Sequence, residues 1–496
     1  MYIVARGQGQ LLRIALDRDA RVPLYRQIID QVAAQVRAGQ LSAGFRLPPV
    51  RQLAMQYGLT RLTVHSAYAE LAARGLVDAH VGRGTFVSAS ALDQPDGRIA
   101  GEAPGIGPGV LAELLRMRER PGLLSFAQAA PPPASFPREE LGAALQAAIA
   151  DAEALSYGPI QGDAGLRSEL VSVLAERGVR RPPEEILVTG GAQQGIDLAV
   201  RALVPPGGTI LVEEPTYSGV LELAAQSGRR LAGVAGDAAG IRPDLLEAAC
   251  RATEPRLLYL VPTFGNPTGM SLAPDRRRAI LRLARTHRFY ILEDDVYGRL
   301  AYDGVSPALA AEDSAGRVIY LTSFSKMLAP ALRLGAIAAS PGVLAMLAGA
   351  KQSSDLVSSS LLQRALALYL RAGHLQGHLE RVCTLYRERR DAMLAALARE
   401  LPECSVARPA GGLNLWLRLP PGVSERSVAA DAIDAGVGVA QGRYFFPQPQ
   451  PSGFLRLSYS LHEPEQIDAG IDLLAGVIRR HEGTLARARQ VAAPLV

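Results

Sequence analysis

Lysine is almost absent from this chain. Of its 53 basic residues only Lys326 and Lys351 are lysines, so covalent chemistry needing a side-chain amine has two candidate positions. Cysteine is scarce too: Cys250, Cys383 and Cys404 lie far apart with no CxxC spacing. That excludes a disulfide scaffold and a zinc ribbon, points to no metal centre, and suits a reducing compartment. No apolar run approaches the roughly 18 residues that a membrane helix needs. The opening MYIVARGQGQ lacks the basic-then-apolar pattern of a secretory signal. These absences lead to the expectation of a cytoplasmic protein with no membrane partner. At 496 residues, with 48% hydrophobic and 20% charged composition, the chain is too long for one ordinary core, and two or three domains are expected.

The charge that is present is uneven. Residues 1–90 hold 11 arginines against 5 acidic residues, whereas the remainder holds 42 basic and 43 acidic residues. A basic N-terminal module on a neutral body points to a polyanionic partner for that module. From Pro23, the recurrence of Leu24, Ile28, Val32 and Val36 predicts a helix that Gly39 stops. Leu47 to Ala54 reads as a second helix entered through proline, and Tyr57-Gly58-Leu59 as a turn. Thr60 is placed to cap a third helix with Val64, Ala67, Tyr68, Leu71 and Ala72 on its buried face. Gly75 ends that helix, and Leu76–Val87 reads as two short strands about Gly82-Arg83-Gly84.

This order of elements is that of a winged helix-turn-helix. The segment from PLYRQIIDQV to the wing GRGTFV resembles the DNA-binding domain of the GntR regulator family over about 65 residues. The resemblance implies double-stranded DNA as partner, a nucleoid-associated location, and Arg51, Arg61, Thr63, His65 and Arg83 as DNA contacts. One departure is Pro49, where the family commonly has a serine whose hydroxyl could cap the helix or touch phosphate. Domain limits of 1–88 for this module, 89–108 for a flexible Ala/Gly/Pro/Asp-rich linker and 109–496 for the rest are expected.

Beyond Val110, short apolar strands alternate with predicted helices, implying an α/β domain around a largely parallel sheet. Ligands of such sheets bind beyond the carboxyl ends of the strands, so the residues just past each strand are the informative ones. Gly190-Gly191-Ala192-Gln193 opens a helix and offers backbone N–H groups to a phosphate. Further on come Tyr217, the segment Pro262–Gly269 with Asn266, then Asp294 with Tyr297. Last come Ser323, Ser325 and Lys326, with Arg333 seven residues on. Pyridoxal 5′-phosphate needs this set: a lysine for its Schiff base, a carboxylate against its ring nitrogen and donors for its phosphate. In that reading Ser323, Ser325 and Arg333 bind phosphate, Tyr217 stacks on the ring, and Asn266 and Tyr297 hydrogen-bond its 3′ oxygen.

YGPIQGDAGLR, GGAQQGID, EEPTY, VPTFGNPTG, EDDVYG, SFSKMLAPALRLG and FLRLSYS occur in the order of the fold-type I aminotransferases, which residues 110–480 resemble. The resemblance implies a smaller C-terminal α/β subdomain, a homodimer, and Arg456 as the grip on a substrate or effector carboxylate. It also implies that Tyr157 crosses to the neighbouring subunit's cofactor phosphate. Gly265 and Asn414 depart from the family pattern, which leaves the ligand open. A winged helix fused to such a domain resembles the MocR/GabR regulators. That implies a transcription regulator sensing an amino acid, an amine or the cofactor itself; the alternative is a working aminotransferase carrying a DNA-binding module, with Lys326 and Tyr297 as catalytic groups.

Overall fold

The structure is a computed structural model describing residues 2–7, 10–17, 23–37, 41, 44–73, 76–80, 84–88, 117, 120–448 and 452–492. The chain divides into two compact units, Met1–Gly105 and Ile106–Val496. The expected linker, Gly39, Gly75 and Arg83 lie outside the described residues. Among the described residues no helix is long and apolar enough to cross a membrane.

In the first unit, helices α1 (Leu24–Arg37), α2 (Val50–Tyr57) and α3 (Arg61–Ala73) are followed by an antiparallel pair, β3 (Val77–His80) and β4 (Gly84–Val87). The four-residue recurrence in α1 buries Ile28, Val32 and Val36 against Val64, Ala67, Tyr68 and Leu71 of α3. Pro49 precedes α2 with no side-chain cap, as the missing serine implied, and Gly58 closes the helix in a left-handed conformation (φ 59°) that its lack of a Cβ permits. Thr60 caps α3, its Oγ1 accepting from the Thr63 amide at 3.2 Å.

Sequence reasoning missed the hairpin ahead of these helices, β1 (Tyr2–Gly7) paired antiparallel with β2 (Gln10–Ile14). It contributes Leu12 and Ile14 to the core. Two α1 glutamines then act as surrogate strand partners. Gln31 exchanges two hydrogen bonds with the Ala15 backbone (2.8 and 2.6 Å), and Gln27 does the same with Asp17 (2.9 and 2.8 Å). Such amide forks satisfy backbone groups that would otherwise lack partners.

The second unit begins with β5 (Leu124–Ser125) and is built on eight strands. In chain order these are β6 (Ile186–Thr189), β7 (Thr209–Glu214), β8 (Arg230–Asp237), β9 (Gly240–Ile241), β10 (Leu257–Leu260), β11 (Tyr290–Asp294), β12 (Val318–Ser323) and β13 (Gly335–Ala338). Their order across the sheet is β6-β13-β12-β11-β10-β7-β8-β9. The five-strand run from β12 to β8 is parallel, while β13 is antiparallel to both its neighbours and β9 to β8. Helices such as Ala192–Leu203 cover the sheet, so the central strands LLYL and VIYLTS, and even the edge strand ILVT, are buried along their whole length, as continuous apolar runs require.

A smaller sheet orders β14 (Asn414–Arg418), β17 (Phe454–Ser458) and β16 (Ala440–Gln441), all antiparallel. The short β15 (Val437–Gly438) pairs with β5, tying the start of the unit to its C-terminal part. The parallel run brings the ends of β7, β10, β11 and β12 to one rim, joined there by the turn after β6. Five of the seven predicted motifs sit at these strand ends; YGPIQGDAGLR precedes β6 and FLRLSYS contains β17 of the smaller sheet.

Candidate functional site

A cavity of about 310 Å³ lies at that rim. Of the residues expected there, Ala192, Gln193, Tyr217, Asn266, Asp294, Tyr297, Ser323, Ser325, Lys326, Arg333 and Arg456 all line it.

Lys326 stands on the single helical turn Phe324–Met327 that comes after β12. Its Nζ donates to the Ala129 carbonyl at 2.6 Å. Burial lowers its ammonium from the ordinary lysine range to about 8; Arg456 and Arg333 push the same way while Asp294 opposes them. Its amine is therefore readily freed of its proton, as a nucleophile requires. The other lysine has a structural task. Lys351 is fully buried and donates to both Asp355 oxygens (2.7 and 2.8 Å) and to Ser358 Oγ (3.0 Å).

Asp294 ends β11 and is 4% exposed. One carboxylate oxygen accepts from the Tyr259 hydroxyl at 2.7 Å, whereas its buried Oδ1 has no partner. Burial raises this carboxyl to about 6, with Asp295 adding to the rise and the Tyr259 hydrogen bond opposing it. A buried acceptor left open on a cavity wall is costly unless a donor fills it. A protonated pyridine nitrogen is such a donor.

The opposite end of the cavity is an anion cradle. Ser323 Oγ accepts from the Ser325 amide at 3.2 Å. Arg333 takes a left-handed backbone (φ 48°), unusual for a non-glycine residue, and its guanidinium donates to the Gly190 carbonyl at 2.9 Å. Gly191, at φ 101°, precedes the helix Ala192–Leu203, and a Cβ there would meet the Arg333 guanidinium at 3.1 Å. Glycine thus lets the arginine approach the helix N-terminus, an arrangement that could hold an anion. The Tyr217 hydroxyl donates to Gln193 Oε1 at 3.2 Å.

Arg456 lies mid-strand in β17, 4% exposed. It donates to Asn266 Oδ1 at 3.2 Å and to the Ala127 carbonyl, while its Nε is buried without a partner. Its guanidinium sits 5.2 Å from the Phe445 ring centroid. Burial lowers it to about 10, which keeps it charged at neutral pH. Tyr297 is pushed up to about 12 by burial, with Arg456 opposing. An open acceptor, a deprotonatable amine and a cluster of anion-binding groups together fit pyridoxal phosphate.

Some expected residues fall elsewhere. Tyr157 does not line the cavity of its own chain and is 86% exposed. Gly265 and Asn414 do not line it either; a Cβ at Gly265 would press on Thr268 Oγ1 and the Val261 carbonyl, both at 3.2 Å, and Asn414 is fully buried with neither amide atom partnered. Sequence reasoning missed Tyr259, whose only signal was a hydroxyl inside the apolar run LLYL, and the segment Ala127–Ala130, which carried none.

In the first unit, Arg51 on α2 and Arg61 and His65 on α3 are exposed. Thr63 is half-buried, its hydroxyl 2.9 Å from that of Thr60.

The sequence profile of "Aminotransferase class I and II" matches residues 128–474, and that of "Bacterial regulatory proteins, gntR family" matches residues 24–87. A 2-aminoadipate transaminase of Thermus thermophilus is 36% identical over 76% of this chain and 97% of its own length. The probable rhizopine catabolism regulatory protein MocR of Rhizobium meliloti is 30% identical over 97% of this chain and 99% of its own. Among solved structures, α-aminoadipate aminotransferase LysN from Thermus thermophilus, complexed with N-(5′-phosphopyridoxyl)-L-leucine, superposes with a TM-score of 0.72. That match is 34% identical and covers 77% of this chain and 98% of the other.

Proposed function

The chain belongs to the aminotransferase class I and II family and carries a gntR-family unit ahead of it, and from that premise we propose a pyridoxal phosphate-dependent transcription regulator. Its effector domain senses an amino acid, an amine or the cofactor. The observation that carries this reading is the presence, in one chain, of a gntR unit and an intact Lys326–Asp294–Arg456 site, over a length matched end to end by a regulator.

When bound, pyridoxal phosphate supplies an electrophilic carbonyl that captures a primary amine. Lys326 holds its amine where the group attaches, and Asp294 keeps a proton on the ring nitrogen through its open Oδ1. Ser323, Ser325, Arg333 and the backbone from Gly191 to Gln193 bind the phosphate, and Tyr217 covers the ring. Asn266 and Tyr297 hold the 3′ oxygen. Arg456, braced by Asn266 and the Ala127 carbonyl, grips the ligand's carboxylate. Tyr157, exposed on its own subunit, reaches the partner's phosphate cradle in a homodimer.

In this reading residues 1–88 bind DNA through Arg51, Arg61, Thr63, His65 and Arg83. Residues 89–108 link them to the effector domain, residues 109–496. A dimer presents two winged helices to paired half-sites, and the protein works at the nucleoid. Regulation requires the ligand to bind one state of the effector domain more tightly than the other.

A second reading, a working aminotransferase, is favoured by the lowered Lys326 ammonium and by the similarity to a transaminase. One experiment separates them: a panel of amino acids and amines added to the purified protein, followed by visible absorbance, keto-acid assay and DNA footprinting. A lasting spectral change with an altered footprint supports the sensor. Multiple turnovers to keto acid with an unaltered footprint support the enzyme.

A further inference from the structure

A second cavity, of about 780 Å³, shares Val261 as a wall with the cavity around Lys326. Their charged linings differ: Lys326, Arg333 and Arg456 face the first with Asp294, whereas Glu213, Glu214 and Asp237 face the second with Arg418. Asp237 is taken by Arg276 at 2.8 Å, and Glu213 accepts from the Val261 amide at 2.8 Å. Glu214 pairs with no cation among the described residues. Its carboxylate folds over Gly233, where a Cβ would collide with Oε1. Glycine at that position is what makes room for it.

The lining is also aromatic. Trp416 of β14 stacks on Phe454 of β17, with ring centroids 5.0 Å apart and planes 9° apart. Carboxylates and an aromatic pair lining one cavity match a cation with an apolar body, since ring faces and carboxylates both attract positive charge. We propose that this second cavity binds an organic cation, its ammonium against Glu214 and Glu213 and its apolar body against Trp416 and Phe454.

Two physical routes join such a ligand to the first cavity. Trp416 meets Phe445 edge-on at 5.7 Å, and Phe445 lies 5.2 Å beneath the Arg456 guanidinium. Glu213 is the other route: burial pushes it up to about 8 and the nearby Asp294 adds to the rise. A cation beside Glu213 shifts it toward its ionised form and so changes the field at Asp294. The site stands whether the chain senses its amine ligand or turns it over.

Trp416 is the chain's only tryptophan, so its fluorescence reports on this wall. The probe is N,N-dimethyl-2-phenylethylamine, a tertiary amine that cannot condense with a carbonyl, added to full-length cofactor-loaded protein. A saturable change in Trp416 fluorescence is expected, with none from 3-phenylpropionate. Glu214→Gln should weaken the probe about tenfold by removing a charge-assisted contact, with the visible absorbance unchanged. Ala407→Phe, at the exposed rim, should obstruct entry. No saturable change, an equal response to 3-phenylpropionate, or full affinity in both variants would overturn the proposal. None of these outcomes bears on cofactor attachment at Lys326, which visible absorbance reads separately.

Discussion

Lys351 is fully buried and Lys326 half-buried in the cavity wall, and their surroundings differ as well. Because Lys326 loses its proton near 8, capture of added pyridoxal phosphate by cofactor-free protein should accelerate as pH rises through about 8. Stopped-flow absorbance reads this directly. Arg456 is the largest charge holding that value down, so Arg456→Gln should move the midpoint upward. Lys351, bonded to Asp355 and Ser358, should be dispensable for cofactor absorbance. Lys351→Met should instead cost about 0.5–1.5 kcal/mol of stability by removing the ammonium's hydrogen bonds to exposed Asp355 and buried Ser358, measured by denaturant melting. At this scale the sequence was informative: the rarity of lysine and the strand-end positions of Asp294, Asn266 and Arg333 pointed to residues that the fold brings together. Tyr259 and Ala127–Ala130 were not legible, because a strand tyrosine and an alanine-rich loop carry no pattern tied to chemistry. Asn414 stood out as a departure, but its burial without partners could not be read from its neighbours.

The winged unit shows which elements local pattern can disclose. Helices α1 to α3 were legible because an apolar stripe, a threonine cap and a closing glycine agreed. The β1–β2 hairpin was not, since its hold on the core depends on Leu12, Ile14 and the glutamine forks of α1, contacts that form only in three dimensions. Strand β13, GAIA, was missed for a similar reason. Gly335 sits so close to its neighbour that a Cβ would meet the Thr322 carbonyl at 2.7 Å, and Ile337 is the strand's single β-branched residue, too little to mark it. On α3, Arg61 is exposed and its ordinary role would be phosphate contact. Arg61→Ala should weaken DNA binding across sequences and reduce the slope of log affinity against log salt by about one. Fluorescence anisotropy at several salt concentrations measures both effects, and unchanged binding would remove Arg61 from the interface.

For the whole molecule the question is whether the two units answer to one ligand. The transaminase relative matches 76% of the chain and the regulator 97%, so the added unit is the feature that separates sensing from turnover. The division into a basic module and an α/β body was legible from charge and strand–helix alternation. How the proposed ligand contact at Arg456 would alter DNA affinity was not, because such coupling is a difference in affinity between states rather than a motif. The decisive measurement is DNA affinity of cofactor-loaded protein with and without the amino acid or amine that changes its visible absorbance, in the native protein and in Lys326→Ala. The expected result is a shift of about tenfold or more in the native protein, within the usual range of allosteric coupling. Lys326→Ala should bind DNA with the ligand-free affinity of the native protein and show no shift. An undiminished ligand response in Lys326→Ala would contradict sensing through the cofactor lysine.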